Sequence, residues 1–80
     1  MNDEKLFLML KDILVETFQL DAADIMLETN LYDDLDLDSI DAVDLVIKLR
    51  EQTGKKIEPN DFKKVRTVHD VIVAIKKLLD

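Results

Sequence analysis

Cysteine is absent from this chain of 80 residues, and so is tryptophan. Without cysteine there is no disulfide framework, no thiolate metal site and no thiol nucleophile. A reducing compartment suits such a chain. Glycine and proline occur once each. So few turn residues argue against a sheet-rich domain and for helices. The single histidine, His69, leaves no histidine pair for a metal and no evident His–acid–Ser arrangement for catalysis. No apolar run approaches the ~20 residues needed to span a bilayer. The start, Met1-Asn2-Asp3-Glu4, lacks the basic region of a signal peptide. The expectation is a cytoplasmic protein without membrane insertion and without a resident metal.

What is present is apolar and charged in a folding proportion: 48% hydrophobic and 36% charged residues. The length suits one domain over residues 1–80, with too little chain for two cores. The net charge is −7 and it is unevenly spread. Residues 1–45 carry 13 acids and 2 bases, whereas residues 46–80 carry 5 acids and 9 bases. An acidic front half repels nucleic acid phosphates. It suits a partner with a basic surface, through steering and complementary contacts.

Apolar spacing predicts three main helices. The first covers residues 3–18, with Leu6, Leu10, Ile13, Leu14 and Phe18 at three- and four-residue intervals and Phe7 and Val15 widening the stripe. Asn2 or Asp3 can cap it. Its apolar face is broad enough to be read as a membrane-surface helix, but the polar face is acidic, and anionic lipids would repel it. The second helix covers residues 39–53. Asp38 is its cap candidate, Asp41 stands where a capping-box acid would, and Gly54 closes the far end. Thr67 caps the last helix, with Asp70 three residues on. Val68, Val71, Ile72, Ile75, Leu78 and Leu79 follow its period. Pro59 can open a helix but not continue one, so a short helix is expected over Asn60–Val65. The fold class is all-α: a small four-helix bundle of three main helices and one short one.

Between the first two main helices lie twenty residues, 19–38. Connections in compact domains are typically ~4–6 residues, and much longer ones tend to be functional. Asp21–Asp24 can form one helical turn, and Ile25, Leu27, Leu31, Leu35 and Leu37 can pin the loop to the bundle. The loop runs into Tyr32-Asp33-Asp34-Leu35-Asp36-Leu37-Asp38-Ser39-Ile40-Asp41. Ser39 is the only serine in the chain. Taken alone, a serine at a helix start is most often a cap. Here six aspartates lie between Asp33 and Asp44 with no base among them. Beside them Ile40, Val43 and Ile47 form an apolar ridge, offset from the stripe of Leu45, Val46 and Leu49. A helix with two apolar stripes buries one and can offer the other. That setting suits docking onto a basic enzyme surface and a hydroxyl that another enzyme modifies. As a nucleophile Ser39 is poor, with no base or glycine-rich oxyanion loop to serve it. A calcium loop fits no better. Asp34, Asp36 and Asp38 match its first ligands, but Ser39 replaces the required glycine and Leu45 the required glutamate.

The run Asp33-Asp34-Leu35-Asp36-Leu37-Asp38-Ser39-Ile40-Asp41 resembles the attachment motif of the acyl carrier proteins, commonly acidic-Asp-Leu-Gly-x-Asp-Ser-Leu-Asp. The resemblance extends through Val43-Asp44-Leu45-Val46, Ile57 and Thr67-Val68-x-Asp70, and covers essentially the whole chain. It implies a monomeric, non-catalytic carrier. A phosphopantetheinyl transferase, using coenzyme A and magnesium, would place 4′-phosphopantetheine covalently on Ser39, beside Asp38. The arm would hold acyl intermediates as thioesters for fatty acid, polyketide or related specialised lipid biosynthesis. Acyl-loading and acyl-processing enzymes with basic docking patches would read Asp36, Asp38, Ile40, Asp41, Val43, Asp44 and Ile47. The acyl chain would shelter among Leu45, Val46, Leu49, Val65 and Ile72. Other readings are a carrier of aminoacyl or other non-fatty cargo, or an acidic interaction or divalent-ion-binding module without a prosthetic group.

Three positions depart from the family pattern. Asp36 occupies the place of the usual glycine, and aspartate tolerates left-handed backbone better than most residues. Lys48 and Arg50 stand in the normally acidic later part of the second helix. Lys63, Lys64 and Arg66 make the segment before the last helix basic. Together they suggest a specialised carrier with its own partner set.

Overall fold

A computed structural model describes residues 2–79. Among them the order is α1 (Asp3–Phe18), a 3₁₀ turn at Ala22–Asp24, α2 (Ser39–Thr53), a second 3₁₀ turn at Pro59–Phe62, and α3 (Val68–Leu79). This is the expected all-helical bundle, its short helix realised as 3₁₀ turns. Among the described residues no helix is long and apolar enough to cross a membrane.

Each helix begins where its polar residues can satisfy free N–H groups. Asn2 Oδ1 accepts from Lys5 N–H at 2.8 Å at the start of α1. Asp38 caps α2. At α3, Thr67 Oγ1 accepts from Asp70 N–H at 3.1 Å while Asp70 Oδ2 accepts from Thr67 N–H at 3.1 Å. The Thr67 and Arg66 N–H groups hold the Asp70 carboxyl below its usual range, the Thr67 contribution being the larger. Gly54 ends α2 at φ 68°, donating its N–H to Arg50 C=O at 2.9 Å. α1 ends without a glycine: Gln19 takes the left-handed turn at φ 53°.

Leu6, Leu10, Ile13 and Leu14 of α1 pack into one core with Leu45, Val46 and Leu49 of α2 and Val68, Val71, Ile72 and Ile75 of α3. Phe7, Val15 and Phe18 pack against it half-buried.

The short helix expected over Asn60–Val65 is a 3₁₀ turn over Pro59–Phe62 instead. Its bonds step by three residues: Lys63 N–H to Asn60 C=O, then Val65 N–H to Phe62 C=O. Side chains three apart eclipse in that geometry, which brings Phe62 and Val65 into the core together.

The long connection is a folded clasp. Asn30 Oδ1 accepts from the N–H groups of Tyr32 and Asp33, both at 2.9 Å, and Asn30 N–H donates to Asp34 Oδ2 at 2.7 Å. Buried Thr29 accepts from Met26 N–H and donates to Asp24 C=O. Ile25, Leu31, Leu35 and Leu37 are buried as expected, but Leu27 is exposed. The backbone explains Leu27. Its C=O accepts from His69 N–H at 3.0 Å, Thr29 C=O accepts from Val68 N–H at 3.0 Å, and Leu31 N–H donates to Arg66 C=O at 2.8 Å. Around an antiparallel bridge between Asn30 and Thr67, the loop is therefore strapped to the entry of α3.

Candidate functional site

The clasp delivers the chain to the start of α2. Asp36 sits there at φ 56°, in the left-handed region where the family pattern has glycine. Glycine enters that region freely, and aspartate is among the side chains that tolerate it. The loop therefore keeps its turn without glycine.

Asp38 Oδ1 accepts from Ile40 N–H at 2.9 Å and from Asp41 N–H at 3.0 Å, and Asp41 Oδ2 accepts from Asp38 N–H at 3.1 Å. This reciprocal box satisfies the first turn of α2. It also resolves which of two adjacent residues is the cap. Because Asp38 does it, the hydroxyl of Ser39 is not consumed by the backbone. Ser39 is exposed, and its hydroxyl makes no hydrogen bond with the described residues. The hydroxyl is free to react and sterically open.

From Ser39 onward, α2 presents two faces. Leu45, Val46 and Leu49 are buried, whereas Ile40, Val43 and Ile47 are 72%, 40% and 44% exposed. Asp36, Asp38 and Asp44 are exposed beside them, with Asp41 half-buried in its box. Of the residues expected to read partners, Asp36, Asp38, Ile40, Val43, Asp44 and Ile47 are therefore exposed and Asp41 is half-buried. Val65 and Ile72 are buried with the inner stripe. An open groove of about 660 Å³ on the α3 side is lined by Val65, Val73 and Leu78 together with lysines 63, 64 and 77. Of the five residues expected to shelter an acyl chain, only Val65 lines it.

Several aspartates of the acidic run are already engaged: Asp34 with Asn30 N–H, and Asp38 and Asp41 with each other's backbone. Among the described residues no group of three His, Asp or Glu side chains is gathered to hold a metal ion. His69 is exposed. Beside Ser39, however, lies a concavity of about 440 Å³, lined also by Asn30, Tyr32, Asp33 and Arg66. The Arg66 guanidinium stands 5.6 Å from the centre of the Tyr32 ring. Periodicity gave no sign of this pairing, because it depends on the strap between the loop and α3.

A family model described as "Phosphopantetheine attachment site" matches residues 10–75, a span that contains the whole serine region. The chain belongs to the acyl carrier protein family. It is 49% identical over 79 residues to Acyl carrier protein 2 of Ralstonia nicotianae, a match covering 99% of this chain and 98% of that one. To the acyl carrier protein of Lactobacillus acidophilus it is 36% identical over 76 residues, covering 95% of each chain. The crystal structure of the acyl carrier protein from Thermotoga maritima superposes with a TM-score of 0.82 at 30% identity, covering 96% of this chain and 89% of that one. Acyl carrier proteins are not enzymes. They carry a phosphopantetheine arm, received from a phosphopantetheinyl transferase, and work with acyl-processing enzymes.

Proposed function

We propose that Ser39 is the residue of this acyl carrier protein that bears the 4′-phosphopantetheine arm. The observation that carries the reading is its exposed, unbonded hydroxyl one residue past the Asp38 cap. In the attachment step, a bond forms between Ser39 Oγ and the phosphorus that bears pantetheine in coenzyme A. The pyrophosphate bond breaks, the adenosine bisphosphate half leaves, and the hydroxyl proton passes to a base of the transferase. Magnesium, held by the transferase, offsets the phosphate charge. Once attached, the arm supplies a terminal thiol that holds acyl groups as thioesters, which a chain without cysteine cannot do itself.

The cargo we infer is acyl intermediates of fatty acid, polyketide or related specialised lipid synthesis. Lys48 and Arg50 on α2, with Lys63, Lys64 and Arg66 before α3, favour the specialised assignment. Partner enzymes would dock on Asp36, Asp38, Ile40, Asp41, Val43, Asp44 and Ile47. The exposed apolar ridge inside an acidic rim supports that surface, since charge steers encounter and apolar burial holds the complex. Leu45, Val46, Leu49, Val65 and Ile72 would shelter the acyl chain by parting within the core. We further assign the chain to the cytoplasm, as a monomeric single carrier domain.

The test is intact mass measurement after incubation with coenzyme A, magnesium and a broad-specificity phosphopantetheinyl transferase. Wild type gains one phosphopantetheine, and Ser39→Ala gains none while keeping its helical circular dichroism. A folded Ser39→Ala variant that still gains the mass would refute Ser39 as the site.

A further inference from the structure

The arm brings a phosphodiester, and its negative charge would sit beside Asp36, Asp38 and Asp41. Like charges brought together in this way repel unless a cation stands near. Of the residues lining the concavity at Ser39, Arg66 alone is cationic.

Arg66 is held in place from several sides. Its N–H donates to Asp70 Oδ2 at 3.0 Å and its C=O accepts from Leu31 N–H at 2.8 Å. Its Nη1 donates to the carbonyls of Val65 at 2.8 Å and Lys63 at 3.3 Å, while the guanidinium faces the Tyr32 ring. Nε and Nη2 make no hydrogen bond with the described residues, and no described carboxylate lies within ion-pairing distance of the side chain. An exposed arginine so fixed, its guanidinium not ion-paired although Asp33 lines the same concavity, in a protein of net charge −7, is a preorganised anion donor. Across the same concavity, Asn30 is oriented by the two N–H groups its Oδ1 accepts, and its amino group has no acceptor among the described residues.

We propose that Arg66, assisted by the Asn30 amide, holds the phosphodiester of the arm on Ser39 and so fixes the direction in which the arm leaves α2. The inference rests on attachment at Ser39. Arg66 acts here as a positioning residue: it binds the non-bridging oxygens and takes no part in thioester chemistry.

The experiment is phosphorus NMR of the loaded protein, with intact mass used first to establish loading. Wild type, Arg66→Gln and Arg66→Lys are compared over a salt titration, together with the Arg66 Nε–H signal before and after loading. In wild type the phosphorus resonance should move with added salt as the pair is screened, and the Nε–H signal should shift on loading. Arg66→Gln should lose the salt dependence, and Arg66→Lys, which keeps the charge but not the fork, should retain part of it. Amide spectra matching wild type establish that each variant is folded. Should the Gln variant unfold, the Nε–H shift in wild type decides alone. A loaded wild type whose phosphorus signal is flat in salt and whose Nε–H signal does not move would overturn the role of Arg66 while leaving attachment intact. A wild type that gains no arm at Ser39 overturns both.

Discussion

Asp38 and Asp41 hold each other's backbone across the first turn of α2, each carboxylate accepting the other's N–H at 3.0–3.1 Å. Loss of a cap costs about 1 kcal/mol. Asp38→Ala should therefore lower the unfolding free energy by roughly that amount and speed amide exchange at Ile40 and Asp41. Asp38→Asn, which keeps an acceptor, should recover most of it. Urea titrations and amide exchange check both variants. Unchanged exchange at Ile40 in Asp38→Ala would show that the box does not hold this turn.

Asp36 at φ 56° makes a second prediction. Glycine relieves the left-handed strain but adds unfolded-state entropy, so Asp36→Gly should stay within about 1 kcal/mol of wild type. A β-branched residue meets the full penalty, and Asp36→Val should lose about 1–2 kcal/mol. Thermal unfolding separates the two. Equal stability of the Val and Gly variants would count against backbone strain as the constraint.

The Asp70 carboxyl is held below its usual range by Thr67 and Arg66 N–H donors. A carboxyl lowered in the folded state contributes stability that is present above its ordinary pKa of about 4 and is lost as pH falls through the folded value. Wild type should therefore be more stable than Asp70→Asn at neutral pH. The gap should narrow as pH drops below about 4. Urea midpoints from neutral to acid pH measure it, and a gap constant across that range would contradict the linkage.

Docking can be probed without disturbing the caps. Asp41 is occupied in its box, whereas Asp44 is exposed and its carboxylate makes no hydrogen bond or ion pair with the described residues, so Asp44→Lys is the cleaner probe. It should slow association with a partner enzyme about tenfold at low salt and flatten the salt dependence. Ile47→Ala should weaken the complex, while changing stability by only about 0.5 kcal/mol because the side chain lies outside the core. Stopped-flow association and surface plasmon resonance read these effects. Unchanged association rates in Asp44→Lys would remove the acidic rim from the docking argument.

Helices and caps were legible in the sequence because they are local. Leu6, Leu10, Ile13 and Leu14 share a face by spacing alone, and Asp38–Asp41 and Thr67–Asp70 are each three residues apart. The double stripe of α2 was legible for the same reason: Leu45 and Leu49 fall inward while Ile40, Val43 and Ile47 fall outward. Residues whose surroundings are set by distant chain were not. Leu27 looked like an anchor, yet its backbone is used by His69 while its side chain faces solvent. A short helix was expected over Asn60–Val65 because proline can open either helix type; only the three-residue step that buries Phe62 and Val65 together marks the observed 3₁₀ turn at Pro59–Phe62. The Arg66–Tyr32 contact beside Ser39 exists only once the loop meets α3, and no periodicity records that meeting.

The strap between residues 27–31 and 66–69 makes the surroundings of Ser39 a product of long-range pairing. Until Arg66, Val68 and His69 meet the loop, Leu27, Thr29 and Leu31 lack their backbone partners, and the concavity beside Ser39 lacks its cationic wall. Closing so distant a pairing is slower than winding a helix. During folding, α2 can therefore present its serine before the surroundings of that serine are complete.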